Sequence, residues 1–154
     1  MQSGGKPTNY KSMVWLHENT QIQELPEDCV GFVYLITNNI TGRKYIGKKL
    51  AKFSKTSYKV VKLKNGNKKR KKIRSKIDSD WQLYYGSNDQ LNRDIQALGA
   101  DNFTREILFY CKSKAECSYV EAREQFNHKV LESDDYYNGQ IVCRIHGSHI
   151  KNKI

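Results

Sequence analysis

Between Arg43 and Lys76 the chain carries sixteen Lys and Arg and no Asp or Glu. Hydrophobic periodicity fades across this stretch, so the elements of a core have to be read from its flanks. Outside it, the eleven remaining basic residues are outnumbered by 16 acidic ones, and the formal charge of +11 therefore belongs to one segment. Such a density of cations is the electrostatic footprint of a polyanionic partner, nucleic acid or an anionic membrane. The membrane reading lacks support: no apolar run approaches the ~18 residues of a span, the basic segment has no clear amphipathic helix, and residues 1–13 contain no apolar signal-peptide core. At 154 residues, 38% hydrophobic and 28% charged, the composition suits one soluble domain and is neither collagen-like nor disulfide-dense. A cytoplasmic, intracellular protein is expected.

The four cysteines, Cys29, Cys111, Cys117 and Cys143, form no C-x-x-C pair and read as free thiols. A sharper alternative is zinc. Cys143, His146 and His149 are spaced three apart, and Cys111 or Cys117 would supply a fourth ligand.

Turn-prone Gly4, Gly5 and Pro7 mark residues 1–28 as an N-terminal extension, with Met13–Leu16 as an apolar cluster able to dock. Gly31–Thr37 is rich in β-branched and aromatic residues and predicts a strand, Asn38–Arg43 a turn, and Lys44–Gly47 the returning strand. Residues 48–77 form a basic insertion, a short hairpin turning at Asn65-Gly66-Asn67 or a flexible arm, with Tyr58, Val60, Val61 and Leu63 interleaved among the cations. Ser87 is placed to cap a helix whose Leu91, Ile95 and Leu98 share a face and which ends at Gly99. Asn102–Tyr110 reads as a third strand. Ser113 and Glu116 have capping-box spacing before a helix running to about Leu131, with Tyr119, Ala122, Phe126 and Val130 toward the core. Ile141–Ile145 is a short final strand or a packed tail, and 146–154 is a C-terminal tail.

The first hairpin resembles the GIY-YIG nuclease family. Its two signature strands stand here as Gly31-Phe-Val-Tyr34 and Tyr45-Ile-Gly47, with the tyrosines eleven residues apart. Asn102–Leu108 looks like the family's third strand, Glu121 like its acidic metal ligand and Asn138 like its late asparagine, so the likeness covers about residues 29–145. It implies an α+β fold, a small three-stranded antiparallel sheet flanked by helices, and a metal-dependent endonuclease hydrolysing duplex DNA with Mg²⁺ or Mn²⁺. Homing-type activity is favoured, with restriction or repair as alternatives and a homodimer left open.

On that resemblance Tyr34 is the general base or water-orienting phenol. Its unperturbed pKa of ~10 requires help from nearby cations or from the metal. Glu121 would hold the metal, a hard ion that commonly takes one or two carboxylates and keeps several waters. Glu124 is a rival or supporting ligand on the neighbouring helical face. Tyr45 would orient water or phosphate, and Asn138 would be either a site residue or a turn former. The family's helical arginine would fall at Lys55. Phosphate stabilisation is assigned instead to Lys49, or to Lys48, with Arg93 as second choice. Lys44, Lys48, Lys68, Lys69, Arg70, Lys71, Lys72 and Arg74 are the candidate nucleic-acid contacts, and Asn65, Asn67, Arg70 and Arg74 candidate base readers. Two rivals stay in view: a non-catalytic nucleic-acid-binding module on the same scaffold, and a basic RNA- or ribosome-associated protein.

Overall fold

A computed structural model describes residues 14–154. Its sheet is built around β3 (Gly31–Asn38), which pairs antiparallel with β4 (Lys44–Leu50) on one side and with β7 (Phe103–Cys111) on the other. The strand β3 is buried along most of its length, as expected for a central strand made of Phe, Val, Tyr, Leu and Ile. The three-stranded expectation falls short of the sheet. A small hairpin, β1 (Trp15–His17) and β2 (Thr20–Ile22), extends it beyond β7, and β1 joins β7 in parallel, giving a mixed five-stranded sheet in the order β2-β1-β7-β3-β4.

Residues 15–22, read from sequence as part of an extension, are therefore part of the sheet. Trp15 explains why: its ring packs edge-on to Phe32 and Tyr34 and its indole N–H donates to the Trp81 carbonyl at 2.9 Å. Met13, the first residue of the expected docking cluster, lies outside the described residues.

The two faces of the sheet carry separate cores, as the alternation of a strand requires. On one, Phe32, Tyr34, Ile36, Phe103 and Ile107 pack with Trp15, Trp81 and Leu91, the last from α1 (Asp89–Leu98). On the other, Val33, Ile46 and Cys111 pack with Cys117 and Val120 of α2 (Lys114–Asn127) and with Val130. The cap of α1 is Asn88 rather than Ser87, because the Asn88 Oδ1 accepts the Leu91 N–H at 2.9 Å. In α2 the inward stripe is Cys117, Val120, Ala122 and Gln125. Tyr119 and Phe126 point outward, and the helix closes at Asn127. Residues 141–145 are irregular backbone with no ladder partner.

After Ala51, which is buried, the basic segment forms a separate two-stranded ribbon, β5 (Lys52–Lys62) with β6 (Lys68–Asp78). Its eleven cross-strand pairs run in continuous register. Among the described residues no helix is long and apolar enough to cross a membrane.

Candidate active site

Strand β4 is an edge of the sheet, and its outward-facing backbone groups would be left unpaired. Several are met by α2 and by residues 135–138. The Lys44 N–H donates to the Asp135 carbonyl and the Lys44 carbonyl accepts from the Tyr137 N–H at 2.7 Å. Asn138, which is buried, takes both groups of Ile46: its Oδ1 accepts the Ile46 N–H at 3.1 Å and its Nδ2 donates to the Ile46 carbonyl at 2.8 Å. Gln125 Nε2 donates to that carbonyl as well, at 2.9 Å. The Lys48 N–H lies toward the Glu121 carboxylate and favours its charged form. The strand bearing Tyr45 and Gly47 is thus locked to α2 and to the 135–138 segment.

Along this edge lies an open cleft of about 470 Å³, lined by Tyr45, Ser87, Asp89, Glu121, Gln125 and Asn138 among others. Burial pushes the Glu121 carboxyl above its ordinary value, while the Lys48 charge and its backbone N–H pull the other way. The Lys48 ammonium donates to Ser118 Oγ, one turn before Glu121 on the same helix. Tyr45 Oη lies 3.5 Å from Ser87 Oγ, and burial raises its pKa, so the phenol keeps its proton at neutral pH.

Tyr34 sits one layer deeper. It is buried, its ring centroid 6.1 Å from that of Tyr45 and 5.9 Å from that of Tyr84, and its hydroxyl bonds Tyr84. Desolvation, with Tyr84, Tyr45 and Glu121 nearby, holds its pKa well above the usual phenol value. As a base, Tyr34 would need nearby cations or a metal to favour its phenolate; desolvation and these neighbours favour the phenol. Gly47, opposite Tyr34 in the ladder, makes this stacking fit. A Cβ there would stand 2.6 Å from Tyr34 Oη and 2.8 Å from the Tyr45 ring.

The candidate cations separate. The Lys49 ammonium is paired with Asp80 at 2.6 Å and lies over the Tyr84 ring at 4.2 Å. That ion pair holds the Asp80 carboxyl below its ordinary value. Arg93 is exposed on α1 and donates to Gln90, and it does not line the cleft. Glu124 faces away, bonded to Arg123 and near His128. Lys44 is held at the strand edge through its backbone, and Lys68 to Arg74 lie on the ribbon.

Among the described residues no group of three His, Cys, Asp or Glu comes together as a metal cluster. Cys143 contacts the Ser118 carbonyl, and His146 bonds Ser148. For a divalent hard cation the cleft offers a different donor set: the half-buried carboxylate of Glu121, the carboxylate of Asp89 and neutral oxygens around them. All are oxygens, which suits Mg²⁺ or Mn²⁺.

Four participants are absent from the sequence expectations: Tyr84, Arg105, and the cleft residues Asp89 and Gln125. Tyr84 links Tyr34 to Lys49, with its ring against the Tyr34 ring and under the Lys49 ammonium. Arg105, buried on β7, donates to the Gln82 and Tyr84 carbonyls at 3.0 and 2.8 Å and stacks on Trp15 and Tyr85. Its desolvated guanidinium titrates at about 10. Gln125 was legible in principle, being one helical turn after Glu121.

The comparison with known families falls on this arrangement. The model described as "Putative endonuclease segE, GIY-YIG domain" matches residues 15–141, from Trp15 on β1 through the cleft. This chain belongs to the GIY-YIG family. The segE protein of Enterobacteria phage T4, described in the same words as an endonuclease, is 30% identical over 107 residues, which is 70% of this chain and 39% of the phage protein. The chain thus spans about two-fifths of that GIY-YIG relative's length. No solved structure matches.

Proposed function

We propose that the chain is a divalent-metal-dependent endonuclease that hydrolyses phosphodiester bonds of duplex DNA at the β4 cleft. The observation that carries the reading is the placement of Glu121, a half-buried carboxylate beside Lys48 in a cleft that also exposes Tyr45. Hydrolysis by in-line displacement needs an oriented water, a stabiliser for charge on the phosphate and a path for the leaving oxygen.

Glu121, with Asp89 across the cleft, would hold Mg²⁺ or Mn²⁺, which when bound supplies Lewis-acid polarisation of the phosphate and an acidified water. Tyr45, kept protonated, donates a hydrogen bond to the attacking water or a phosphate oxygen. Lys48, beside Glu121, supplies positive charge for the phosphate as a point charge. This assignment prefers Lys48 over Lys49, whose ammonium already serves Asp80 and Tyr84. Tyr34 acts through the Tyr45–Gly47 layer and through Tyr84 as a positioning phenol. Asn138 is a positioning residue too, since its amide is spent on Ile46. The basic ribbon holds the DNA backbone. Homing-type activity is the favoured biological setting within this class, and restriction or repair enzymes would use the same chemistry.

The test is conversion of supercoiled plasmid to nicked and linear forms by the full chain. Cleavage with Mg²⁺ and none with EDTA supports the reading. Salt-sensitive binding without cleavage under either Mg²⁺ or Mn²⁺ makes the protein a non-catalytic DNA-binding module.

A further inference from the structure

The ribbon's two faces differ. In register, one face carries Lys52, Ser54, Thr56, Tyr58, Val60 and Lys62 opposite Asp78, Lys76, Arg74, Lys72, Arg70 and Lys68. It holds seven cations, including both arginines of the ribbon, with the hydroxyls of Ser54, Thr56 and Tyr58 between them. The opposite face has four cations, Lys55, Lys59, Lys69 and Lys71, among the apolar Phe53, Ile73 and Ile77. Arginine alone among the cations presents a planar fork that grips guanine O6 and N7 together. Both forks share one face, and one is already ordered: the Arg70 guanidinium lies 4.1 Å over the Tyr58 ring. A guanidinium stacked on a phenol keeps its edge donors free while losing rotamer freedom before any partner arrives.

We infer that the β5–β6 ribbon lies in the major groove of B-form DNA with this face toward the base edges, Arg70 and Arg74 reading guanines and the flanking lysines touching phosphates. The inference rests on the duplex-DNA reading above and adds where, and by which residues, sequence is read. The dimensions agree. Two strands about 4.8 Å apart fit a groove about 12 Å wide, and the eleven residues of each strand span about 35 Å, close to one helical turn. Arg70 and Arg74, four residues apart on one strand, are separated by about 13 Å, which sets the two guanines about three to four base pairs apart.

Charge supports the same occupant. Lys62 faces Lys68 directly across the ladder on this same face, a pairing that repels in the free protein and is relieved by a polyanion. The ribbon also begins one residue after β4, anchored by the Ala51 N–H to the Val30 carbonyl and by Ser79 to the Leu50 and Ala51 carbonyls. A base-reading element joined so closely to the cleft strand would fix the cut at a set distance from the site read.

The test selects bound duplexes from a random-sequence library with the full chain in EDTA, so that nothing is cut. The preferred duplex is then rebuilt with 7-deazaguanine, which removes only the N7 acceptor in the major groove. The expected result is two preferred guanines three to four base pairs apart and about a ten-fold loss of affinity on 7-deaza substitution. The double variant Arg70→Lys with Arg74→Lys, which retains the charge, should keep salt-dependent binding and lose both the guanine preference and the 7-deaza effect. Duplex binding with no selected bases, or with indifference to 7-deazaguanine, overturns this inference and leaves the nuclease reading standing. Absence of any duplex binding, or preference for RNA, overturns both.

Discussion

Gly47 has no room for a methyl group, because the place a Cβ would take is already filled by the rings of Tyr34 and Tyr45. Gly47→Ala should therefore push the two tyrosines apart, lower stability by about 1–3 kcal/mol as core overpacking does, and reduce cleavage. Thermal melting and a cleavage rate measured on the same preparation check both. Glu121 makes a sharper case. Its carboxyl is held above the ordinary value by burial, so the folded chain takes up this proton at a higher pH than the unfolded chain. From this residue alone, stability rises as pH falls through that window, and Glu121→Gln should show no such rise. Cleavage should run the other way, falling on acidification as the carboxylate is lost. Added Mg²⁺ at neutral pH should raise the melting temperature of the native protein and leave that of Glu121→Gln unchanged. The tyrosine hairpin was legible because it is a local pattern with fixed spacing, whereas Glu121 stood out only through the family resemblance. The deep position of Tyr34 was not, because its surroundings come from Tyr84 and Trp15, far away in sequence.

At the scale of elements, the edge of β4 is closed by a short backbone bridge at Lys44 and by side chains further along, in place of another strand. Asn138 provides the clearest instance, and Asn138→Ala leaves the Ile46 N–H without its partner at a cost of about 1–3 kcal/mol. The loss should appear as a lower melting temperature and as faster amide exchange at Ile46, measured by hydrogen exchange. Sequence showed Asn138 as a turn residue or a site residue and could not show the two hydrogen bonds that make it a clamp. The same limit explains α2: helical period placed Tyr119 and Phe126 toward the core, but the stripe actually buried is set by which residues meet β3, β4 and β7. The ribbon was half legible. Asn65-Gly66-Asn67 marked its turn, yet a run of lysines gives no period of two from which strands can be read. Replacing Lys68, Lys69, Lys71 and Lys72 by Gln should weaken duplex binding and flatten its dependence on log salt by about 0.9 for each phosphate that is no longer neutralised. Binding titrations between 50 and 200 mM salt measure this slope.

For the whole molecule, a mildly acidic scaffold carries a cleft at one sheet edge and a strongly basic ribbon that starts where the cleft strand ends. The family match over residues 15–141 spans both parts and the β1–β2 hairpin, which composition alone had assigned to an extension. The proposed activity depends on hydrolysis taking place at Glu121 and Tyr45 beside β4, and single-turnover cleavage of duplex DNA with Mg²⁺ tests that step without interference from product release. Native protein, Glu121→Gln and Tyr45→Phe are compared at saturating protein, with melting confirming that each is folded and filter binding confirming that each holds DNA. Glu121→Gln should lose cleavage by at least about a thousand-fold and Tyr45→Phe by about 10² to 10³, with affinity for DNA little changed. Folded, DNA-bound variants that cleave at the native rate would place the chemistry elsewhere on the molecule and overturn the assignment.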